Sequence, residues 1–396
     1  MPTALATILR DPLLRAVSIA CFLFGAFAAS IAPYQSLIAI HVLGLSDRTY
    51  AGILVSASLV SVTSAVAIGV LTDQGLSRRS VALASATAMI LGSALVWLRP
   101  SPGAFAVAHA LILPAAPVFG QVFAMARLAS LPHPPLQRDA IMATVRAIFA
   151  LPFVVVLPMW SAALSQGAGL LAIYPLLAVL AAALWLVVLF GWPKSLPQDR
   201  PSGQSFAAAL REIGHPRIGL RVALLGGITA AISTYMVLIG LVFAATPGRT
   251  ESEVALFVGF VAGLEVPFML AMPLLLRRVH RIVLIALGAA VYGGWLALLP
   301  VLAPTPLVWL LVLPASAGGA AVLTLPIAYL QDLLADRPGA GASLMALQKV
   351  SGDAACAACF AAGTALSGYG LVALMAGTLA ALGGGLLWWA DRRQGF

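Results

Sequence analysis

The chain has 396 residues, of which 62% are hydrophobic and only 9% charged, and its mean hydropathy is +1.04. About a quarter of a soluble domain's residues are charged, so this composition excludes a soluble domain and indicates a membrane protein. The formal net charge of +9 raises the question of an anionic partner such as nucleic acid, and the placement of the basic residues along the chain answers it.

A helix crossing a hydrocarbon core of roughly 30 Å needs about 20 apolar residues, whereas a spanning strand needs about 10 in strict alternation. The apolar runs here are long and do not alternate, which predicts an all-α membrane protein. Spans 1 to 6 are predicted over Ala16 to Leu43, Tyr50 to Leu71, Val81 to Leu98, Phe105 to Leu128, Ala140 to Leu164 and Leu170 to Trp192. Spans 7 to 12 follow over Val222 to Ala245, Val254 to Leu276, Ile282 to Leu302, Leu307 to Leu334, Ala342 to Leu366 and Leu371 to Trp389. The first run is too long for a signal-peptide core and follows Arg10, Asp11 and Arg15, so it is expected to remain as the first helix.

With the N-terminus placed inside, 17 of the 22 basic residues fall at inner ends and inner loops. The outer loops hold Arg48, Arg99 and Arg249, and Arg146 and Lys349 lie within spans. That asymmetry places both termini in the cytoplasm and accounts for the net charge without nucleic acid.

The longest polar connection, Pro193 to Gly219, divides the chain nearly in half. The predicted organisation is an N-terminal six-helix bundle over 1–192, a cytoplasmic linker over 193–219 and a C-terminal six-helix bundle over 220–396. Arg146 in "IMATVRAIF" and Lys349 in "LMALQKVSG" stand 203 apart, and Tyr34 and Tyr235 stand 201 apart. Such offsets favour a six-plus-six pseudo-repeat, an arrangement that lets two halves expose a central site to each side in turn.

Intramembrane charges cost about 2.5 to 3.5 kcal/mol on insertion scales and usually face a bundle interior or an aqueous cavity. Glu265 is the twelfth residue of the 23 in span 8 and the only ionisable side chain there. A proton neutralises a carboxylate in apolar surroundings, so Glu265 can load and release one as a cavity alternates; a hydrogen-bonded Glu that only fixes helix packing is the other reading. Lys349 and Asp353, four apart, share a helical face and can neutralise each other. The alternative gives Asp353 a share in proton coupling that Lys349 tunes, and Lys349 is also a candidate substrate-cavity residue. Arg146 has no carboxylate within one turn, so its partner comes from another helix or from a ligand. Gln35, Gln121 and Gln348, with Tyr34 and Tyr235, are candidate substrate-cavity residues, because amides and phenols both donate and accept hydrogen bonds and a ring face covers the apolar side of a sugar.

Cys356 and Cys359 have metal-like or redox-like spacing but sit in an apolar helix without a second pair. They and Cys21 read as small packing residues, and no metal is expected. The chain has no phosphate-binding loop and no His-Glu-x-x-His, and its five histidines are scattered. Neither an enzyme nor an ATP-driven pump is expected, no cofactor is implied, and any pumping draws on an ion gradient.

The loop after span 2, "GVLTDQGLSRRS", resembles the signature of the major facilitator superfamily, with its aspartate, glycine and paired basic residues. The resemblance implies that Asp73, Arg78 and Arg79 are gating residues on the cytoplasmic side. "AGLEVP" (262–267), "YLQDLLADRPGAGASL" (329–344), "GQVFAMAR" (120–127) and "MATVRA" (142–147) are similar to segments of the bacterial sugar efflux transporter family. That resemblance implies proton-coupled export of sugars or sugar-like molecules across the bacterial cytoplasmic (inner) membrane. It adds Gln331 to the cavity residues Gln121, Arg146 and Glu265, and Arg127 and Asp332 to the gate. The expected partners are a small-molecule substrate, protons and the lipid bilayer, and the expected state is a monomer. An exporter of amphipathic drugs, or an uncoupled facilitator or sensor on the same scaffold, are the competing functions.

Overall fold

A computed structural model describes residues 4–73, 76–194, 216–333 and 338–392, and among these every regular element is helical. Each of the twelve predicted spans is realised. Nine helices are long and apolar enough to cross a membrane among the described residues, and Pro102–Ile112 and Val118–Ser130 are shorter apolar helices that together make span 4. Spans 2 and 11, Asp47–Asp73 and Pro338–Leu366, complete the set. Span 11 is less apolar because it carries Gln348, Lys349 and Asp353.

Local chemistry sets where the helices begin and break. Asp11 caps the first span by accepting hydrogen bonds from the Leu13 and Leu14 amides at 2.8 and 2.9 Å, with Pro12 in the first turn where no amide is needed. A Thr250–Glu253 capping box starts span 8. Span 1 stops at Ile31 and resumes after Pro33 as Gln35–Leu37 and a π-turn, Ile38–Val42. Span 4 passes through another π-turn, Ala108–Ile112, and restarts at Val118 beyond Pro114 and Pro117. Proline supplies no amide hydrogen and its ring clashes with the preceding turn, so these spans are discontinuous.

The pseudo-repeat also appears in the backbone. Gly44, Gly167, Gly248 and Gly368 have positive φ, between 71° and 93°, in the turns after spans 1, 5, 7 and 11. Gly44 and Gly248 stand 204 apart and Gly167 and Gly368 201 apart, close to the offsets of the paired span residues. Glycine closes helices in this left-handed conformation without steric cost.

The contacts divide the chain into two compact units, Met1–Ala32 with Val60–Gln204, and Pro33–Leu59 with Ser205–Phe396. In the first, spans 1 and 5 approach so closely at Gly25 that a side chain there would overlap the Phe149 carbonyl, and Trp160 donates to Ser30 Oγ at 3.0 Å. In the second, spans 9 and 12 touch at Gly293 and Gly377, where a side chain on either would overlap the other's carbonyl. Small residues at such crossings let helices pack where hydrophobic burial gives little drive. The Pro33–Leu59 segment is fastened to its own unit by Tyr34 OH on the Glu251 carbonyl at 3.2 Å, Ser36 Oγ on the Val237 carbonyl, and Tyr369 OH on Asp47 at 3.1 Å.

Candidate functional site

Glu265 lies in a wedge of spans 8, 9 and 10. Span 10 is held to span 8 by the buried Ser316 hydroxyl, which donates to the Val261 carbonyl at 3.0 Å. One turn further along both helices, the Glu265 carboxyl occupies the space a side chain at Gly319 would need, and that missing side chain would also meet Tyr292 Cε2 at 3.4 Å. The neighbouring Gly318 plays the matching part toward span 9, where a side chain would meet the Tyr292 amide nitrogen at 2.9 Å. The glycine pair thus lets span 10 sit on span 9 with one residue and receive the carboxyl with the next. Among the described residues, the buried Tyr235 hydroxyl and Trp295 indole nitrogen have no hydrogen-bond partner. Glu265 itself makes no hydrogen bond or ion pair with a described residue.

Spans 7 and 11 build a second polar cluster. They cross where a side chain at Gly226 would meet Ser351 Cβ at 2.6 Å and one at Gly352 would meet Thr229 Cβ at 2.7 Å. Around that crossing, Gln348 donates to Thr229 Oγ1 at 2.8 Å and Ser233 donates to Asp353 Oδ1 at 2.7 Å. Lys349 donates to Asp353 Oδ2 at 2.6 Å, realising the expected local ion pair. The lysine side chain is 68% exposed and the aspartate 24%.

In the first unit, Gln121 is buried and its Oε1 has no partner among the described residues. Arg146 is half-buried beside Cys21, whose thiol contacts the Val145 carbonyl. Phe119 and Phe123 flank Gln121 and join Phe24, Phe149 and Phe153 in a chain of ring contacts with centroids 4.6 to 6.4 Å apart. The sequence reading passed over these rings. The signal was present, since Phe119/Phe123 and Phe149/Phe153 are both spaced four apart and lie on single helical faces.

The remaining expected residues are dispersed. Tyr34 and Tyr235 are fully buried in the second unit, the former bonded to the Glu251 carbonyl. Gln35 is half-buried beside Tyr50. Arg79 donates to the Leu189 carbonyl, Arg78 is half-buried, and Arg127 is exposed in the last turn of its helix. The backbones of Asp73, Gln331 and Asp332 are helical, and their side chains lie outside the described residues. A buried triad escaped the sequence reading: Arg221 grips Asp391 Oδ1 through Nε and Nη2 at 3.0 and 2.8 Å, and Tyr329 OH donates to the same oxygen at 3.0 Å. It joins spans 7, 10 and 12. All three cysteines are free and buried, and among the described residues no group of His, Cys, Asp and Glu could hold a metal.

A family model described as Major Facilitator Superfamily matches residues 17–355. A Deinococcus radiodurans protein with the provisional description of a sugar efflux transporter is 26% identical over 391 residues, covering 95% of this chain and 97% of that protein. Among solved structures, the nucleoside transporter NupG superposes with a TM-score of 0.74 at 15% identity, over 95% of this chain and 98% of that one. A POT family transporter in complex with a thioalcohol-conjugated peptide gives 0.74 at 11% identity, over 96% of each chain. The human organic anion transporter MFSD10 gives 0.64 at 17%, over 95% of this chain and 99% of its own. At these identities the structures speak to the fold, and the family match extends over most of the spans that carry it. The chain therefore belongs to the Major Facilitator Superfamily and is a multi-pass membrane transporter.

Proposed function

We propose that this transporter exports sugars or sugar-like molecules across a bacterial cytoplasmic membrane by proton antiport, with alternating access between two six-helix bundles, 1–192 and 220–396, joined by 193–219. The observation that carries the coupling is the setting of Glu265, a carboxyl group mid-span in a glycine-walled wedge with no hydrogen bond or ion pair to a described residue. A charge there lacks compensation among the described residues, so gain of a proton removes an unfavourable mid-span charge and its loss restores one. A group with that property converts a pH gradient into a change of helix packing. Support for the sugar comes from the relative in Deinococcus radiodurans and from the amides and hydroxyls along the spans, which suit a polyhydroxyl ligand.

In this reading Asp73, Arg78, Arg79, Arg127 and Asp332 gate the cytoplasmic side, both termini are cytoplasmic, and the protein works as a monomer. Gln121, Arg146 and Gln331 are further residues to which this reading gives substrate contact. A rival reading, export of amphipathic drugs, draws on one observation: the ring surface of Phe24, Phe119, Phe123 and Phe149 in the first unit, where Phe119 is 44% exposed.

The deciding experiment is transport in proteoliposomes driven by an imposed pH gradient, with labelled sugars and one cationic drug, for the native chain and Glu265→Gln. Sugar flux that follows the gradient and is lost in the variant supports the reading. Flux indifferent to both gradient and substitution overturns the coupling, and drug flux alone favours the rival.

A further inference from the structure

The cluster of spans 7 and 11 has a chemical polarity. Both oxygens of Asp353 are engaged, Oδ1 by Ser233 and Oδ2 by Lys349. The carboxylate is thus committed within the protein. Lys349 is not: an ammonium has three N–H donors, one of them is spent on Asp353, and the side chain is 68% exposed. Gln348 and Asp353, on either side of it in the same helix, both bond to span 7. The ammonium therefore lies on the side of span 11 that faces span 7, and an ammonium exposed at mid-span faces water rather than hydrocarbon.

We propose that Lys349 donates hydrogen bonds to the transported molecule, that Asp353 and Ser233 are positioning residues that hold it, and that the ligand is a neutral polyhydroxyl compound rather than a cation. This rests on the exporter reading and deepens it by naming the residues that hold the ligand and the discrimination they impose. The two remaining N–H groups call for acceptor oxygens and repel cations. The adjacent Asp353 leaves the pair without net charge, so the site does not demand an anion. Gln348 spends one N–H on Thr229 and keeps its carbonyl oxygen for a ligand hydroxyl, giving the cluster an acceptor beside the donor. Asp353, with both oxygens satisfied, is an anchor here and not the proton carrier, which leaves that role to Glu265.

The test measures binding of labelled lactose and of the cation ethidium to purified protein in nanodiscs, together with lactose flux in proteoliposomes. Lys349→Met is expected to weaken lactose binding about tenfold or more, the loss of hydrogen bonds from a charged donor, and Lys349→Arg to recover part of it. Ser233→Ala is expected to raise the KM for lactose flux more than it lowers the maximal rate. Melting curves of each variant separate lost binding from lost fold, and recovery by arginine does so independently. Lactose binding unchanged in Lys349→Met, tighter binding of ethidium than lactose to the native chain, or no lactose binding at all overturns the proposal. If the native chain binds lactose through Lys349 without moving it, the exporter reading fails and the site stands; if lactose is exported and Lys349→Met is indifferent, the site fails and the exporter stands.

Discussion

Two regions of the second unit treat a carboxylate in opposite ways. Asp391 is enclosed, its side chain 6% exposed, and one of its oxygens receives both Arg221 and Tyr329. Glu265 occupies a cavity made by the absence of a side chain at Gly319 and has no bonded partner among the described residues. Asp353 stands between them, paired but partly exposed. A charge that is fully answered has one comfortable state and serves as a fastening. A charge left unanswered is relieved by gaining a proton, which is the property a proton switch requires.

Replacing each acid by its amide turns this comparison into a graded experiment, read as unfolding free energy in mixed micelles. The largest effect is expected for Asp391→Asn, which leaves Arg221 buried without its counter-charge and costs about 3–5 kcal/mol. Replacing Arg221 and Asp391 together by leucines is expected to recover most of that loss, because the uncompensated charge goes with its partner. A double variant as unstable as the single one would mean that Tyr329 and the packing, rather than the charge, hold the three helices.

Gly319→Ala comes next. The added methyl needs the position now held by the Glu265 carboxyl, and overpacking of this kind costs about 1–3 kcal/mol. Because the carboxyl must leave its wedge, gradient-driven flux is expected to fall with the stability. Alanine at Gly263 in span 8, which would meet nothing within 4 Å, is the matched control and should change neither.

How far the sequence carried this picture depends on the range of each interaction. The twelve spans were legible because the length of an apolar run is a local property. The Lys349–Asp353 pair was legible because helical geometry fixes a spacing of four. Glu265 could be singled out at the centre of its span, but Gly319 lies 54 residues away and only the packing of span 8 on span 10 joins them. Ser233 and Thr229 are more remote still, 120 and 119 residues from Asp353 and Gln348. Arg221 read as one more inner-side basic residue, since nothing local ties it to Asp391. Tyr34 and Tyr235 show the same limit: hydropathy does not distinguish a phenol facing a cavity from one closed into a helix bundle, and both are buried.

Asp353→Asn is expected to cost less, about 0.5–1 kcal/mol, because its partner Lys349 is well exposed and water screens the pair. Its effect on lactose affinity should exceed its effect on stability, since an unanchored lysine still reaches solvent but no longer holds one direction. Equal losses would reduce the pair to a helix staple.

The smallest change in stability is expected for Glu265→Gln, within about 0.5 kcal/mol of the native chain. Glutamine has nearly the same shape, fits the same space beside Gly319, and gives up no hydrogen bond or ion pair to a described residue. It cannot exchange a proton, so gradient-driven flux should vanish while exchange of sugar for sugar at equal pH persists. That combination, an undisturbed fold with coupling removed, is what separates a switch from a fastening. If Glu265→Gln instead unfolds as readily as Asp391→Asn, the carboxyl is structural, and the proton must be carried elsewhere in the chain.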